Sequence, residues 1–286
     1  MNTLKKIGLT ALGTSLVAGS AFAGEITASG DAGYTYSSEE VGVRTDEGYG
    51  FNHDITFSGS GELDNGFTVS TTMILVEGAT LSSSNVALGM GGLGTITIGN
   101  GLGNVGGGFD AVTPFAYEEN HDGMATTTAI DSMGALSDGN QIVYAAPALE
   151  LGGATVNITA GYTPEAGDAV TGEGAVSAQS ANFGSAKTLG VKVGVAGLTA
   201  GIFGEEVDGD SSDGSVSGAS RRGDAMSATW FANYSVGPVS FGYQVAGVDH
   251  GVNAAATSAN TAKTIAAAGG FFESEMMSIA FNVNEN

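Results

Sequence analysis

Residues 225–248 have the sequence AMSATWFANYSVGPVSFGYQVAGV, and this stretch decides the fold class. Apolar side chains occupy alternate positions on both sides of a Gly-Pro pair: Met226, Ala228, Trp230, Ala232, Tyr234 and Val236, then Val239, Phe241, Tyr243 and Val245. Successive side chains of a strand point to opposite faces, so a period of two predicts strands that are apolar on one side only. Glycine and proline suit a tight turn. The stretch therefore predicts an antiparallel hairpin.

The same alternation recurs along the chain and predicts about thirteen strands. They lie at about 26–36, 49–62, 67–77, 84–91, 94–100, 140–147, 153–163, 187–196, 198–205, 225–236, 238–248, 261–271 and 275–284. Tight turns alternate with longer polar loops, among them 37–48, 101–139 and 206–224. Up-and-down barrels of the outer membrane have this alternation of short turns and long loops. The predicted fold class is thus an all-β, antiparallel transmembrane β-barrel.

Backbone hydrogen bonding gives a physical reason for closure. An open sheet edge in hydrocarbon leaves N–H and C=O groups unpaired, at a cost of several kcal/mol each. Bacterial single-chain barrels have an even number of strands, and the alternation at 278–284 is still running when the sequence stops at Asn286. We therefore expect thirteen strands of a sixteen-stranded wall, with the C-terminal strands missing.

The N-terminus has the pattern of a secretory signal peptide. Lys5 and Lys6 precede an apolar run, which leads to Ala21-Phe22-Ala23, a small-residue cleavage box. We expect residues 1–23 to be the signal peptide, with Ala21 and Ala23 at the cleavage site, and residues 24–286 to be the barrel domain. The apolar run is too short and too often interrupted for a transmembrane helix.

Composition excludes several classes of protein. The chain has 48 Gly, 8 Lys+Arg, 30 Asp+Glu and no Cys. Two of the basic residues and none of the acidic ones precede residue 24, so the net charge of −22 becomes −24 after cleavage. Such a surface repels nucleic acid. Disulfides cannot stabilise the fold, and an exported chain must rely on burial or on a closed hydrogen-bonded sheet.

Three segments carry a family resemblance, which extends over the predicted mature chain. These segments are NHDITFSGSGELDNG at 52–66, NQIVYAAP at 140–147 and SIAF at 278–281. In this order they resemble the Gram-negative trimeric porins of the alphaproteobacterial type. The resemblance implies a homotrimer in the cell outer membrane, in contact with lipid, through which small hydrophilic solutes and ions diffuse without a cofactor.

The resemblance also implies that the loop after the fifth strand folds inward and narrows the pore. Here that loop is 101–139, and it contains acids but no Lys or Arg. Carboxylates at a constriction favour cations. We therefore take these acids as constriction candidates: Asp110, Glu118, Glu119 and Asp122. Lys192, whose parity opposes that of Val191 and Val193, is a fifth candidate, expected to face the lumen. The alternative is a solvated acidic loop face.

Other motifs are weaker. Gly101-Leu102-Gly103-Asn104-Val105-Gly106 fits G-x-G-x-x-G, but a dinucleotide site also needs a helix and a parallel βαβ unit. The acidic segment 208–214 could collect Ca²⁺ but departs from EF-hand spacing. No histidine pair has ligand spacing, so no metal site is expected.

Two other functions compete with the channel. An exported soluble β-sandwich or surface-layer protein would pack the apolar parity inward, whereas a porin would expose Phe57, Val156, Val193, Trp230 and Phe241 to lipid. An outer-membrane enzyme would need convergent Ser, His and acid side chains, and the sequence does not show them. We expect no enzyme.

Overall fold

The structure is a computed structural model. It describes residues 26–41, 44–76, 80–100, 104–110, 112–114, 140–164, 166, 183–209, 224–249 and 271–282. These ranges contain thirteen β strands and two short 3₁₀ turns, Gly91–Leu93 and Gly106–Gly108. None of the helices in these ranges has the length and apolar character that a membrane crossing requires. The chain divides into two compact units at Gly91.

The first unit is an antiparallel meander of four strands: β1 (Thr27–Val41), β2 (Arg44–Glu62), β3 (Thr68–Val76) and β4 (Thr80–Gly89). Each strand pairs with the next in the chain. The β2–β3 turn is closed by the N–H of Gly66, which donates to the carbonyl of Leu63 at 2.8 Å. Gly66 has a φ of 79°, a left-handed conformation that glycine adopts without steric cost. This turn is where the sequence predicts it.

The second unit contains the other nine strands: β5 (Thr95–Asn100), β6 (Asn140–Ala145), β7 (Leu149–Leu151), β8 (Ala154–Thr163), β9 (Phe183–Val195), β10 (Leu198–Gly209), β11 (Ala225–Val236), β12 (Val239–Asp249) and β13 (Phe271–Phe281). The pairing is antiparallel throughout and follows chain order from β8 to β13. β5 pairs with β6, and β6 with β8. This is the up-and-down order that the sequence predicts for a barrel wall.

β6 and β7 form one interrupted edge along β8. Ala145 lies opposite Thr159, whereas Leu149 lies opposite Val156. Between these two pairs, the chain that joins β6 to β7 therefore has one residue more than β8. Pro147 lies in the interruption and has no N–H to donate to β8. The sequence pattern predicts a single strand that ends at residue 147 and gives no sign of β7, because alternation alone does not reveal a bulge.

The all-β antiparallel prediction is confirmed, with several changes at the ends of the strands. The predicted loop at 37–48 is wrong, because β1 continues to Val41 and β2 begins at Arg44, which pair with each other. β10 also continues to Gly209, into the predicted loop that begins at residue 206. Polar residues indicate contact with water, but they do not end a strand. The backbones of β1, β2 and β10 therefore continue into the polar segments. The predicted strand at 261–271 lies, except for its last residue, outside the described residues.

Candidate functional site

The strands of the second unit have two faces of different character. In β11, Ser227, Thr229 and Phe231 are buried, and they alternate with Met226 and Trp230, which are exposed. We call the face with Phe231 the covered face and the face with Trp230 the exposed face. The exposed face holds the apolar parity that the sequence analysis identifies, with Trp230 46% and Phe241 47% exposed.

Strand register extends the covered face across the unit. Lys192 of β9 lies opposite Gly201 of β10, Gly201 lies opposite Phe231 of β11, and Phe231 lies opposite Gln244 of β12. Directly opposed residues point to the same side of a sheet, so these four residues form one row across four strands. Asn157 of β8 lies opposite Lys192 and continues the row. The prediction that Lys192 opposes the parity of Val191 and Val193 agrees with this placement.

The chain that follows β5 lies on the covered face. We call residues 104–114, without Ala111, the loop segment. Phe109 anchors it: the ring is 3% exposed, stacks on Phe203 at a centroid distance of 5.4 Å and meets Phe231 edge-on at 6.1 Å. Lys192 also lies against this ring, with Nζ 4.7 Å from its centroid. An ammonium at this distance is attracted by the face of the ring. The described part of the loop after the fifth strand therefore lies against one face of the sheet, and that this face lines the pore stays a prediction.

Glycines in the wall make room for the loop segment. A Cβ at Gly190 would overlap the ring of Phe109, and a Cβ at Gly201 would lie 3.1 Å from the same ring. A Cβ at Gly242 would overlap the proline ring of Pro114 and lie 3.0 Å from the Cα of Thr113. The strands β9, β10 and β12 thus have glycines, which lack side chains, where the loop segment lies closest to the sheet.

Side-chain amides on three strands bind the backbone of the loop segment. Gln141 of β6 accepts a hydrogen bond from the N–H of Val105 at 3.1 Å. Asn233 of β11 donates to the carbonyl of Val112 at 2.6 Å. Gln244 of β12 bonds the segment twice, donating to the carbonyl of Phe109 at 2.7 Å and accepting from the N–H of Val112 at 3.0 Å. The segment therefore crosses the covered face from β6 to β12.

The covered face also holds an acid that the sequence analysis does not single out. Glu205 of β10 is 3% exposed and accepts a hydrogen bond from the hydroxyl of Ser227 at 2.5 Å. In the sequence, only alternation could have indicated its location: Glu205 is two positions from Phe203 in the same strand, so both side chains point to the same face. Gln141, Asn233 and Gln244 were missed for a similar reason, because an amide on the polar parity of a strand is an ordinary feature.

The structure places only part of the predicted constriction. Asp110 directly follows Phe109 in the loop segment and is partly buried. Lys192 lies on the covered face, against the ring of Phe109. Glu118, Glu119 and Asp122 lie outside the described residues, so their place at the constriction stays a prediction.

The competing motifs gain no support from the described residues. β5 pairs antiparallel with β6, the next strand in the described part of the chain, so the described residues give the G-x-G-x-x-G match no parallel βαβ unit. Over the same ranges, no group of three or more His, Cys, Asp or Glu residues could hold a metal ion. Of the acidic segment 208–214, the described part includes Asp208, which accepts from the hydroxyl of Ser185 at 2.6 Å.

Comparison with known proteins gives one family. The model of the Gram-negative porin family matches residues 8–285. Solved structures similar to the chain include two double mutants of the porin from Rhodopseudomonas blastica. Their sequence identities to this chain are 14% and 15%, and their TM-scores are 0.35 and 0.36. Each alignment covers 79% of this chain, and the alignments cover 90% and 85% of the two mutant chains. A triple mutant of that porin has 16% identity and a TM-score of 0.34, with 79% and 90% of the two chains covered. No curated protein sequence matches the chain.

Proposed function

The chain belongs to the Gram-negative porin family, and from this membership we propose that it lets small polar solutes and ions diffuse passively through a water-filled pore. An outer-membrane channel is what membership of this family supports. Passive diffusion, a preference for cations, assembly as a homotrimer and removal of residues 1–23 are the further parts of the proposal.

The observation that carries the proposal is the separation of the two faces. Several large apolar side chains on the exposed face are roughly half accessible or more, as in Ile202 at 61%, Leu189 at 54% and Phe241 at 47%. A protein in water buries such a surface, whereas a barrel wall presents it to lipid. The opposite face holds the loop segment and buried polar side chains such as Glu205, Ser227 and Gln244. This arrangement favours a channel over a soluble sandwich, whose apolar parity would pack inward.

The proposed cation preference rests on the charge of the loop. Residues 101–139 contain acidic side chains and no Lys or Arg. Carboxylates at a narrow point lower the energy of a permeating cation and raise that of an anion. Lys192, the basic residue that the structure places on the covered face, lies against Phe109 and Phe231. Its ammonium lies against the faces of two neutral rings, whereas the loop holds several carboxylates, so we expect the carboxylates of the loop to dominate selectivity.

Planar-bilayer recording of the full-length protein tests both parts of the proposal. We expect stepwise conductance and, in a salt gradient, a reversal potential of the sign for cation preference. A variant with Asp110→Asn, Glu118→Gln, Glu119→Gln and Asp122→Asn should have a reversal potential closer to zero.

A control variant removes the same number of negative charges far from the loop in sequence. It carries these four changes at exposed positions: Glu62→Gln, Asp64→Asn, Glu273→Gln and Glu275→Gln. Its reversal potential should match that of the unchanged protein. Anion preference of the unchanged protein would refute the acidic constriction. If no channel steps appear and the protein fractionates as a soluble species, the exported sandwich becomes the better hypothesis.

A further inference from the structure

We propose that Gln244 is the positioning residue that holds the loop segment against the wall and thereby sets the open-channel conductance. The inference rests on the proposed channel function and adds to it a residue that acts on the pore through the loop. Gln244 is fully buried, with 0% exposure, and is the largest of the fully buried side chains in the described part of the chain. A buried amide must satisfy its donors and acceptor within the protein.

The hydrogen bonds of Gln244 determine which way its amide points. Nε2 donates to the carbonyl of Phe109 at 2.7 Å and to the hydroxyl of Thr229 at 3.1 Å, while Oε1 accepts from the N–H of Val112 at 3.0 Å. The hydroxyl of Thr229 donates its own proton to the carbonyl of Val245 at 2.8 Å, so its oxygen is left to accept from Gln244. Nε2 and Oε1 thus both have hydrogen-bond partners, and an amide rotated by 180° would lose these hydrogen bonds.

The bond to Phe109 joins residues that are 135 positions apart in the chain. Gln141 holds the start of the loop segment through Val105, and Gln244 holds its middle at Phe109 and Val112. Glu118, Glu119 and Asp122 follow this anchor closely along the chain. Because a chain cannot place residues far from the point where it is anchored, the Gln244 contact limits the positions that these acids can occupy.

The substitution Gln244→Glu tests this role because it makes the contact depend on pH. A protonated carboxyl has one donor and one acceptor, and can still donate to the carbonyl of Phe109 and accept from the N–H of Val112. An ionised carboxylate accepts only, and would face the carbonyl oxygen of Phe109 without a proton between them. Burial and this nearby acceptor raise the pKa of the introduced carboxyl above the usual value of about 4.3.

We expect the variant to conduct like the unchanged protein near pH 4 and to leave that conductance level near pH 8, values on either side of the titration. The fraction of open time spent at other levels should rise roughly tenfold, since the buried carbonyl of Phe109 is left without a donor and faces an ionised oxygen. Protein folded near pH 4 and shifted to pH 8 within the bilayer gives this readout even if the variant folds poorly at high pH.

Gln141→Glu is the matched control. It adds the same charge at a glutamine that is 4% exposed on the same covered face. Gln141 accepts from the N–H of Val105 and donates to the hydroxyl of Thr163 at 3.2 Å. A carboxylate keeps the first bond, and the hydroxyl of Thr163 can donate to it in place of the second. Asp110, Lys192 and Glu205, which are titratable groups of the loop segment and the covered face, are the same in both variants and in the unchanged protein.

The outcomes separate the two proposals. If the unchanged protein forms no channels, the proposed function fails. If it conducts, a pH response of Gln244→Glu that Gln141→Glu lacks supports the positioning role. The same response in both variants, or in neither, overturns it, because added charge or no effect would then explain the result. Gln244→Met, which cannot make either bond, should show the altered levels at both pH values, and unchanged conductance in this variant also overturns the inference.

Discussion

Replacing Ile202 by lysine tests the orientation of the strands directly. Ile202 lies on the exposed face of β10 with 61% of its surface accessible, opposite Trp230 of β11 and Val191 of β9. If this face contacts lipid, Ile202→Lys places an ammonium in hydrocarbon. If the face is in water, the same change exchanges one exposed side chain for another.

The depth of Ile202 determines the size of the effect. The residue is four positions beyond Leu198, where β10 begins after a tight turn. At roughly 3.4 Å per residue this is about 14 Å along the strand, and a tilt of about 40° reduces it to about 10 Å of height. The apolar band of an outer-membrane barrel is roughly 25 Å tall, so Ile202 lies near its middle. Lysine at that depth costs about 2–4 kcal/mol, which lowers the ratio of folded to unfolded protein roughly 30- to 900-fold.

Urea-dependent folding into lipid vesicles measures this cost, with Trp230, the single tryptophan, as the fluorescent reporter. Trp230 lies directly opposite Ile202, so the substitution also changes its surroundings and its fluorescence. Heat-dependent gel mobility therefore provides a second readout that does not depend on Trp230. Asn157→Lys is the control at comparable depth: Asn157 is three positions beyond the start of β8 and lies exposed on the covered face. Lys192 lies opposite it, so a like-charge cost of up to about 1 kcal/mol is expected. Equal costs for the two lysines, or a cost for Ile202→Lys within about 0.5 kcal/mol of zero, would refute a lipid-facing exposed face.

Two further predictions concern turns and the loop segment. Ala196 has a φ of 44° in the β9–β10 turn. Asparagine tolerates this conformation better than alanine, so Ala196→Asn should stabilise the folded protein by about 0.5–1 kcal/mol in the same urea assay, and lower stability would show that the turn has another geometry. In Gly242→Ala, the added methyl group overlaps Pro114, whereas in Gly194→Ala it has no heavy atom within 4 Å. We expect single-channel conductance to change in the Gly242 variant and not in the Gly194 variant, and equal conductance in both would contradict the close approach of the loop segment to β12.

The contacts on the covered face show how much of the site could be predicted from the sequence. Parity correctly separates Lys192 from Val191 and Val193, because the direction of a side chain in a strand depends only on its position. The site formed around Phe109 could not be derived in this way. Its ring packs on Phe203 and Phe231, about a hundred residues further along the chain, and on glycines whose role appears only when another segment approaches them. Pairing between distant residues depends on register and on the path of the loop, which local pattern does not encode.

The alternation of side chains by itself determined that this protein is built of antiparallel strands with one apolar face, since a period of two is a local property of extended backbone. The Gly, Asn and Asp residues of the tight turns likewise determined where hairpins such as β2–β3 reverse. Only the tertiary structure decided that the segment after β5 lies across the sheet from β6 to β12, and that Gln141, Asn233 and Gln244 hold it there. The physical reason is that an amide in a strand becomes an anchor only when a backbone group from elsewhere in the chain comes within hydrogen-bonding distance.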